Sequence, residues 1–309
     1  MVKNRSLAPG TAIKRRRGAR SRFIFLMLLP GIAAILSFTY YPLSRGFIMA
    51  FEKYTMWNIY DRAFIGLQNF AEIFADPDFS MIAGNTVKWV FVSLFFQFTL
   101  GFALALLLKK RFPGSGVYQG LVYVPWAISG FLIGLIWRWL FNGQSGAIND
   151  ILMRLGIIQK QLPFLANVNY ALWSCIAANV WYGIAFFAIM IQAALRGVPD
   201  ELYEAAEIDG ATKLQRFSRV TLPYIKPTLI LTTLLRVIWI LNFPDLIYGM
   251  TQGGPANSSH ILSTYMMSFV MNAQDYGKAS AVGVIIMGIL AAYTMFYLAM
   301  TRFEESGDF

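Results

Sequence analysis

Six long apolar stretches, set apart by polar segments, organise this chain: 23–43, 89–108, 117–140, 170–195, 228–248 and 279–300. Each reaches the roughly 20 residues that a helix needs to cross a bilayer. Several carry Gly, Pro or Asn, so their ends are placed only to within a few residues. The pattern predicts an all-α, polytopic membrane protein with six transmembrane helices, and no connection is long enough to hold a further soluble domain. The first stretch runs beyond the about 7–15 apolar residues of a secretory signal, and Tyr40-Tyr41-Pro42 is a poor cleavage region. It reads as a retained first helix.

Composition agrees: 57% of the 309 residues are hydrophobic and 14% charged, against about 45–50% and about 25% in soluble domains. Charge sets the orientation. The tail 1–22 holds Lys3, Arg5, Lys14, Arg15, Arg16, Arg17, Arg20 and Arg22, and no acid precedes Glu52. With that tail inside, Lys109, Lys110, Arg111 and the polar segment around Glu204 fall inside too, as the positive-inside rule expects. Both termini are therefore expected to be cytoplasmic, with 23–309 forming the membrane domain. The tail supplies most of the net charge of +10, which points to topology and anionic lipid rather than nucleic acid. One cysteine, Cys175, and one histidine, His260, exclude a disulfide framework and a Cys/His metal site. Neither a catalytic residue nor a cofactor is indicated.

The segment 196–226 has its own logic. Pro199 is pre-set for a helix start, and Asp200 and Glu201 suit the positive end of the helix dipole. Leu202, Ala205 and Ala206 give a small, partly apolar face, and Gly210 can take the left-handed conformation that ends a helix. A second short helix is expected over 212–220, stopped by Pro223. A short helix of this kind suits a groove on a partner, which makes it a transmission element.

Glu204-Ala205-Ala206, then Gly210, Val220 and Leu222-Pro223, follow the spacing EAA-x3-G-x9-V-x-LP. This resembles the cytoplasmic signature loop of the membrane subunits of ATP-binding-cassette importers, with Val220 where that family usually has Ile. The resemblance implies that Glu204, Ala205, Ala206, Asp209, Gly210, Leu222 and Pro223 couple to an ATPase. It also implies the type I importer permease fold in a bacterial inner membrane, and alternating access. The implied partners are a second permease subunit in a heterodimer, two ATPase subunits and an extracytoplasmic solute-binding protein. The chain lacks a G-x4-GK-[ST] phosphate loop, so it is not itself the ATPase. Phe64-Ile65-Gly66-Leu67-Gln68-Asn69-Phe70, Asp76-Pro77-Asp78-Phe79, Gly146-Ala147-Ile148-Asn149 and Thr251-Gln252-Gly253-Gly254-Pro255 together resemble the carbohydrate-type, MalF-like branch. An oligosaccharide or related carbohydrate or polyol is then the expected solute. An ion-coupled carrier is the rival reading. It would need intramembrane acids, and Asp245, the one candidate, lies near the outer end; the internally repeated layout of secondary transporters is also absent.

Two helical faces are candidates for a solute cavity. Asn179, Tyr182, Gly183 and Phe186 recur at three- and four-residue spacing. They offer an amide, an aromatic platform and a gap, a mixture suited to sugars, although ordinary helix packing uses the same residues. Arg236, Trp239, Asn242 and Phe243 share a second face. In the resembling family the positions of the first set, and those of Trp239 and Asn242, line the central cavity. A mid-membrane Arg costs about 2.5–3.5 kcal/mol on insertion scales, so Arg236 should face protein or water. Its partner is open: an anionic sugar, a carbonyl, or an acid on the companion subunit. Asp245 is nine residues on, about 13 Å along a continuous helix.

Overall fold

The computed structural model describes residues 23–58, 60–109 and 113–301. The basic tail, Lys110, Arg111 and the last eight residues lie outside the described residues. Among the described residues, five helices are long and apolar enough to span a membrane: α1 (Phe23–Met49), α3 (Phe79–Leu108), α7 (Ala171–Arg196), α9 (Lys213–Leu241) and α12 (Tyr276–Thr301). The sixth span is a bent pair, α4 (Ser115–Ala127) and α5 (Gly130–Leu140), meeting at 99°. Short elements connect them: a hairpin of β1 (Glu52–Lys53) and β2 (Ala63–Phe64), then α2 (Gln68–Ala75), α6 (Ala147–Arg154), α8 (Asp200–Ile208), α10 (Pro244–Met250) and α11 (Leu262–Ser268). The all-α, six-span expectation stands.

Helices α3 and α7 form the backbone of the bundle. Their close approach needs Gly101, where a Cβ would sit 2.6 Å from Phe187 Cβ and 2.9 Å from the Ile184 carbonyl. Around them Trp89, Phe186, Phe187, Ile133, Ile240, Leu246 and Ile247 are fully buried. The outer surface is apolar instead: Phe91, Phe95, Leu107, Trp139 and Phe296 are all more than 60% exposed, as lipid-facing positions are. Helix α1 is extreme in this respect. No part of its apolar window is buried, and it meets α12 through residues 41–49.

The structure departs from the sequence reading at several breaks. The stretch 117–140 is not one straight helix. Pro125 lies in the last turn of α4, which runs to Ala127; Ile128 is extended, and Ser129 caps α5 by accepting from the Leu132 N–H at 3.4 Å. The stretch 228–248 is likewise split, because Pro244 removes a backbone donor and pushes Phe243 out of helical geometry. At its other end that helix begins at Lys213, and Pro223 does not stop it. A π-turn over Phe217–Thr221 resets the hydrogen bonding, and Pro223 then occupies the second position of the resumed α-helix, where its missing donor is tolerated. Helix α3 starts at Phe79, ten residues before the predicted 89.

At the end of the bundle opposite α8, side-chain amides tie the loops. Asn69 Nδ2 donates to the carbonyls of Ala50 and Glu52 at 2.9 and 3.0 Å. Asn149 donates to Leu162 and accepts from its N–H, each at 3.0 Å. Asn257 donates to Asp78 at 2.6 Å, and the Tyr265 hydroxyl donates to Asp76. Lys278 sits 2.7 Å from Glu72, and together with Gln68 it holds the Glu72 carboxyl below the usual carboxylate range. His260 is buried among these groups, with Nδ1 3.0 Å from Thr264 Oγ1. Burial lowers its pKa from the ordinary histidine value, with nearby Asp78 acting in the opposite direction.

Candidate docking loop and membrane cavity

Helix α8 begins after Pro199, carries Asp200 and Glu201 in its first turn, and closes with two characteristic bonds. The Ala211 N–H reaches the Ala206 carbonyl at 2.9 Å and the Gly210 N–H reaches Glu207 at 3.0 Å, with Gly210 at φ +74°. This is a Schellman ending, and the positive φ is what requires glycine there. Thr212 and Gln215 then form a capping box that starts α9. Arg216 Nη1 bridges to Glu207 at 2.8 Å, across the turn between the two helices.

The loop residues picked from the sequence fall into two groups. Glu204, Ala205, Asp209 and Gly210 are exposed and Ala206 is half-buried, on α8 and its end. Leu222 and Pro223 are also exposed, but on α9 beyond the π-turn. Leu202 at 42%, Ile208 at 87% and Leu214 at 76% add apolar side chains to this surface. The sequence signal for the last two is an apolar residue set among charged ones, Ile208 between Glu207 and Asp209 and Leu214 beside Lys213.

Within the membrane region, a cavity of about 410 Å³ is lined by Trp126, Tyr182, Arg236, Trp239, Ile240, Asn242 and Phe243. That volume lies in the range of small-molecule sites, about 300–1,000 Å³. Tyr182 and Phe243 stack with centroids 5.2 Å apart and planes 10° apart. The break between α9 and α10 allows this, and Gly130 at the start of α5 leaves the room that the Phe243 ring fills. The structure thus brings Tyr182, Arg236, Trp239, Asn242 and Phe243 to one wall.

Asn179, Gly183 and Phe186 stand behind that wall. Asn179 is buried and donates to Ser93 Oγ at 3.0 Å. A Cβ at Gly183 would collide with the Gln97 amide and the Arg236 guanidinium. Phe186 is 1% exposed, edge-on to Trp239 at 5.2 Å. Trp126 was missed because it belongs to α4, whose bend the periodicity of one continuous stretch conceals.

Arg236 has a partner that none of the sequence alternatives named. Its Nε donates to the side-chain oxygen of Gln97 at 2.7 Å, and Gln97 Nε2 donates to the Asn179 carbonyl at 2.8 Å. The guanidinium also lies 5.6 Å from the Tyr182 centroid and 5.5 Å from that of Phe186, within cation–π range. A relay of buried polar groups therefore joins α3, α7 and α9 at mid-bundle. Because α9 ends at Leu241, Asp245 belongs to a different helix, α10.

Known proteins resemble this chain over nearly its whole length. The trehalose/maltose transport system permease protein MalF of Thermococcus litoralis is 32% identical over 281 residues, covering 91% of this chain and 94% of that protein. The sulfoquinovosyl glycerol transport system permease protein SmoG of Agrobacterium fabrum is 32% identical over 285 residues, with 92% of each covered. Among solved structures, a bacterial ABC transporter that imports the acidic polysaccharide alginate superposes with a TM-score of 0.80 at 27% identity, over 93% of this chain and 97% of that one. Residues 97–304, from the Gln97 of the polar relay to beyond the end of α12, match the model of one family. This chain belongs to the binding-protein-dependent transport system inner membrane components.

Proposed function

We propose that this chain is a permease subunit of a type I ATP-driven importer, moving an oligosaccharide or related carbohydrate or polyol by alternating access. Its partners are a second permease subunit, two ATPases and an extracytoplasmic binding protein, in a bacterial inner membrane with both termini cytoplasmic. The observation that carries this reading is α8, a short exposed helix held off the end of a membrane bundle. Its small and apolar side chains, Leu202, Ala205 and Ile208, are offered outward. Such a helix fits a groove on a soluble partner.

The solute class is supported by the cavity. Trp126, Tyr182, Trp239 and Phe243 provide flat apolar faces, while Asn242 provides a side-chain amide. Sugars pair C–H faces with hydroxyls, and relatives of this chain are named for trehalose, maltose and alginate. The second permease is supported by α1, whose apolar length has no burial within this chain.

The test is reconstitution. The chain, purified with its companion permease and ATPases in proteoliposomes with the binding protein, should take up labelled maltooligosaccharide or another saccharide only with ATP. Uptake that persists without the ATPases would overturn the reading in favour of an ion-coupled carrier.

A further inference from the structure

Helix α8 presents most of its side chains outward, but Tyr203 turns inward. Its ring packs beside the buried cluster of Phe186, Phe187, Ile191, Leu195 and Ile225. Its hydroxyl oxygen accepts from Lys109 Nζ at 3.1 Å and lies 2.9 Å from Thr221 Oγ1. The Lys109 ammonium also rests 4.6 Å from the centre of the same ring. Lys109 is the cap of α3, and Thr221 closes the π-turn in α9. One phenol therefore touches the end of α3 and the π-turn of α9.

The connection continues inward. Next to Lys109, the Leu108 carbonyl accepts from Gln192 Nε2 of α7 at 2.9 Å. The Gln192 side-chain oxygen accepts from the Tyr123 hydroxyl of α4 at 3.0 Å. Trp126, which lines the cavity, is three residues along α4 from Tyr123, about one helical turn.

We propose that Tyr203 is the positioning residue through which displacement of α8 reaches α3 and α9 together, and through Leu108 and Gln192 the cavity wall. This rests on the permease reading above. The physical reason is stiffness. A tyrosine has two rotatable side-chain bonds, and here its ring is packed and its hydroxyl is held from two directions. It cannot absorb a movement of α8 by changing rotamer without leaving both spans. A second side-chain bridge from α8, Glu207 to Arg216, joins two flexible side chains, and Arg216 lies on the first turn of α9. That link adjusts to motion, whereas the Tyr203 link conveys it.

The experiment uses the complete complex in nanodiscs with its binding protein, Cys175→Ala to remove the native thiol, and Asn242→Cys as a reporter on the cavity wall. The probe is ATP with orthovanadate, read as the change in maleimide labelling rate at the reporter. Tyr203→Phe keeps the ring and removes only the hydroxyl. It should leave ATPase co-purification, complex melting temperature and ATP binding as in the parent, and reduce the ATP-dependent change in labelling at least fivefold. Thr221→Val should act in the same direction, and the double variant should be no worse than the more severe single. A parental ATP-dependent change in Tyr203→Phe would overturn the inference. Loss of ATPase co-purification would overturn it too, by placing Tyr203 in the docking surface itself. If the parent complex contains no ATPase, the permease reading fails first, so the two failures are distinguishable.

Discussion

The indole N–H of Trp89 donates to the backbone carbonyl of Ile240 at 2.8 Å, across 151 residues of sequence. In an unbroken helix that carbonyl would accept from residue 244, which is Pro244 and has no donor. Trp89, fully buried in α3, satisfies the acceptor that the proline leaves behind. The break that turns Asn242 and Phe243 toward the cavity is thus stabilised from a neighbouring span. Trp89→Phe keeps most of the volume and strands the carbonyl, which should cost about 1–3 kcal/mol. The expected result is a lower melting temperature of the purified complex; an unchanged value would show that another donor takes over.

The docking loop depends on the geometry at Gly210. Gly210→Pro cannot hold φ +74°, and Glu204→Lys reverses the charge of an exposed position. Both should uncouple ATP hydrolysis from solute uptake while the chain still inserts in the membrane. Solute-stimulated hydrolysis at the parent level in both variants would remove α8 from the docking role.

Orientation can be read by thiol labelling in intact cells, in a background lacking Cys175. A cysteine at Lys213 should be protected from an impermeant reagent. Cysteines at Tyr60, 94% exposed, and Leu155, 67% exposed, should react. Asn69 is unsuitable because it is buried beneath the hairpin. Reaction at position 213 from outside would reverse the assigned topology.

Arg236 should prove an anchor. Gln97→Leu leaves a buried guanidinium without its acceptor, and loss of a hydrogen bond to a charged group costs about 1.5–3 kcal/mol. Lower complex yield and melting temperature are expected for Gln97→Leu and Arg236→Gln alike, whatever the solute. Normal yield, with uptake lost only for an acidic saccharide, would instead make Arg236 a solute ligand.

Acid should loosen the loops opposite α8. A histidine whose folded pKa lies below its unfolded value contributes stability at higher pH. That contribution is lost as pH falls through the unfolded value of about 6.5 toward the folded one. His260 is such a group. Proteolysis of the 251–261 loop should therefore accelerate between about pH 7.5 and 5.5, and His260→Gln should flatten that dependence. An identical pH profile in the variant would assign the effect to the carboxylates around Tyr265.

The spans and the α8–Gly210–α9 loop were legible because their signals are local: apolar length, a capping glycine, acids in a first turn. The breaks were half legible. Pro125, Pro223 and Pro244 are all visible in the sequence, yet Pro125 lies in the last turn of α4, Pro223 is absorbed into α9 and Pro244 opens α10. The difference lies in what surrounds each: Ser129 caps a new helix, a π-turn precedes Pro223, and Trp89 answers Pro244 from another span. The cavity was legible to the same degree. Periodicity grouped Asn179, Tyr182, Gly183 and Phe186 on one helical face. It could not say that Gln97 would occupy the space at Gly183, leaving Tyr182 alone to reach the opening.

Helix α1 crosses the width of a membrane without a buried residue along its apolar window. A span in that condition gains little from its own subunit beyond residues 41–49, where it meets α12. With the second permease of the proposed assembly absent, it remains an apolar rod free to drift in lipid, visible to membrane quality control. The cellular amount of this subunit should then follow the synthesis of its companion, with surplus copies degraded, so that stoichiometry is enforced by protein turnover as well as by gene dosage.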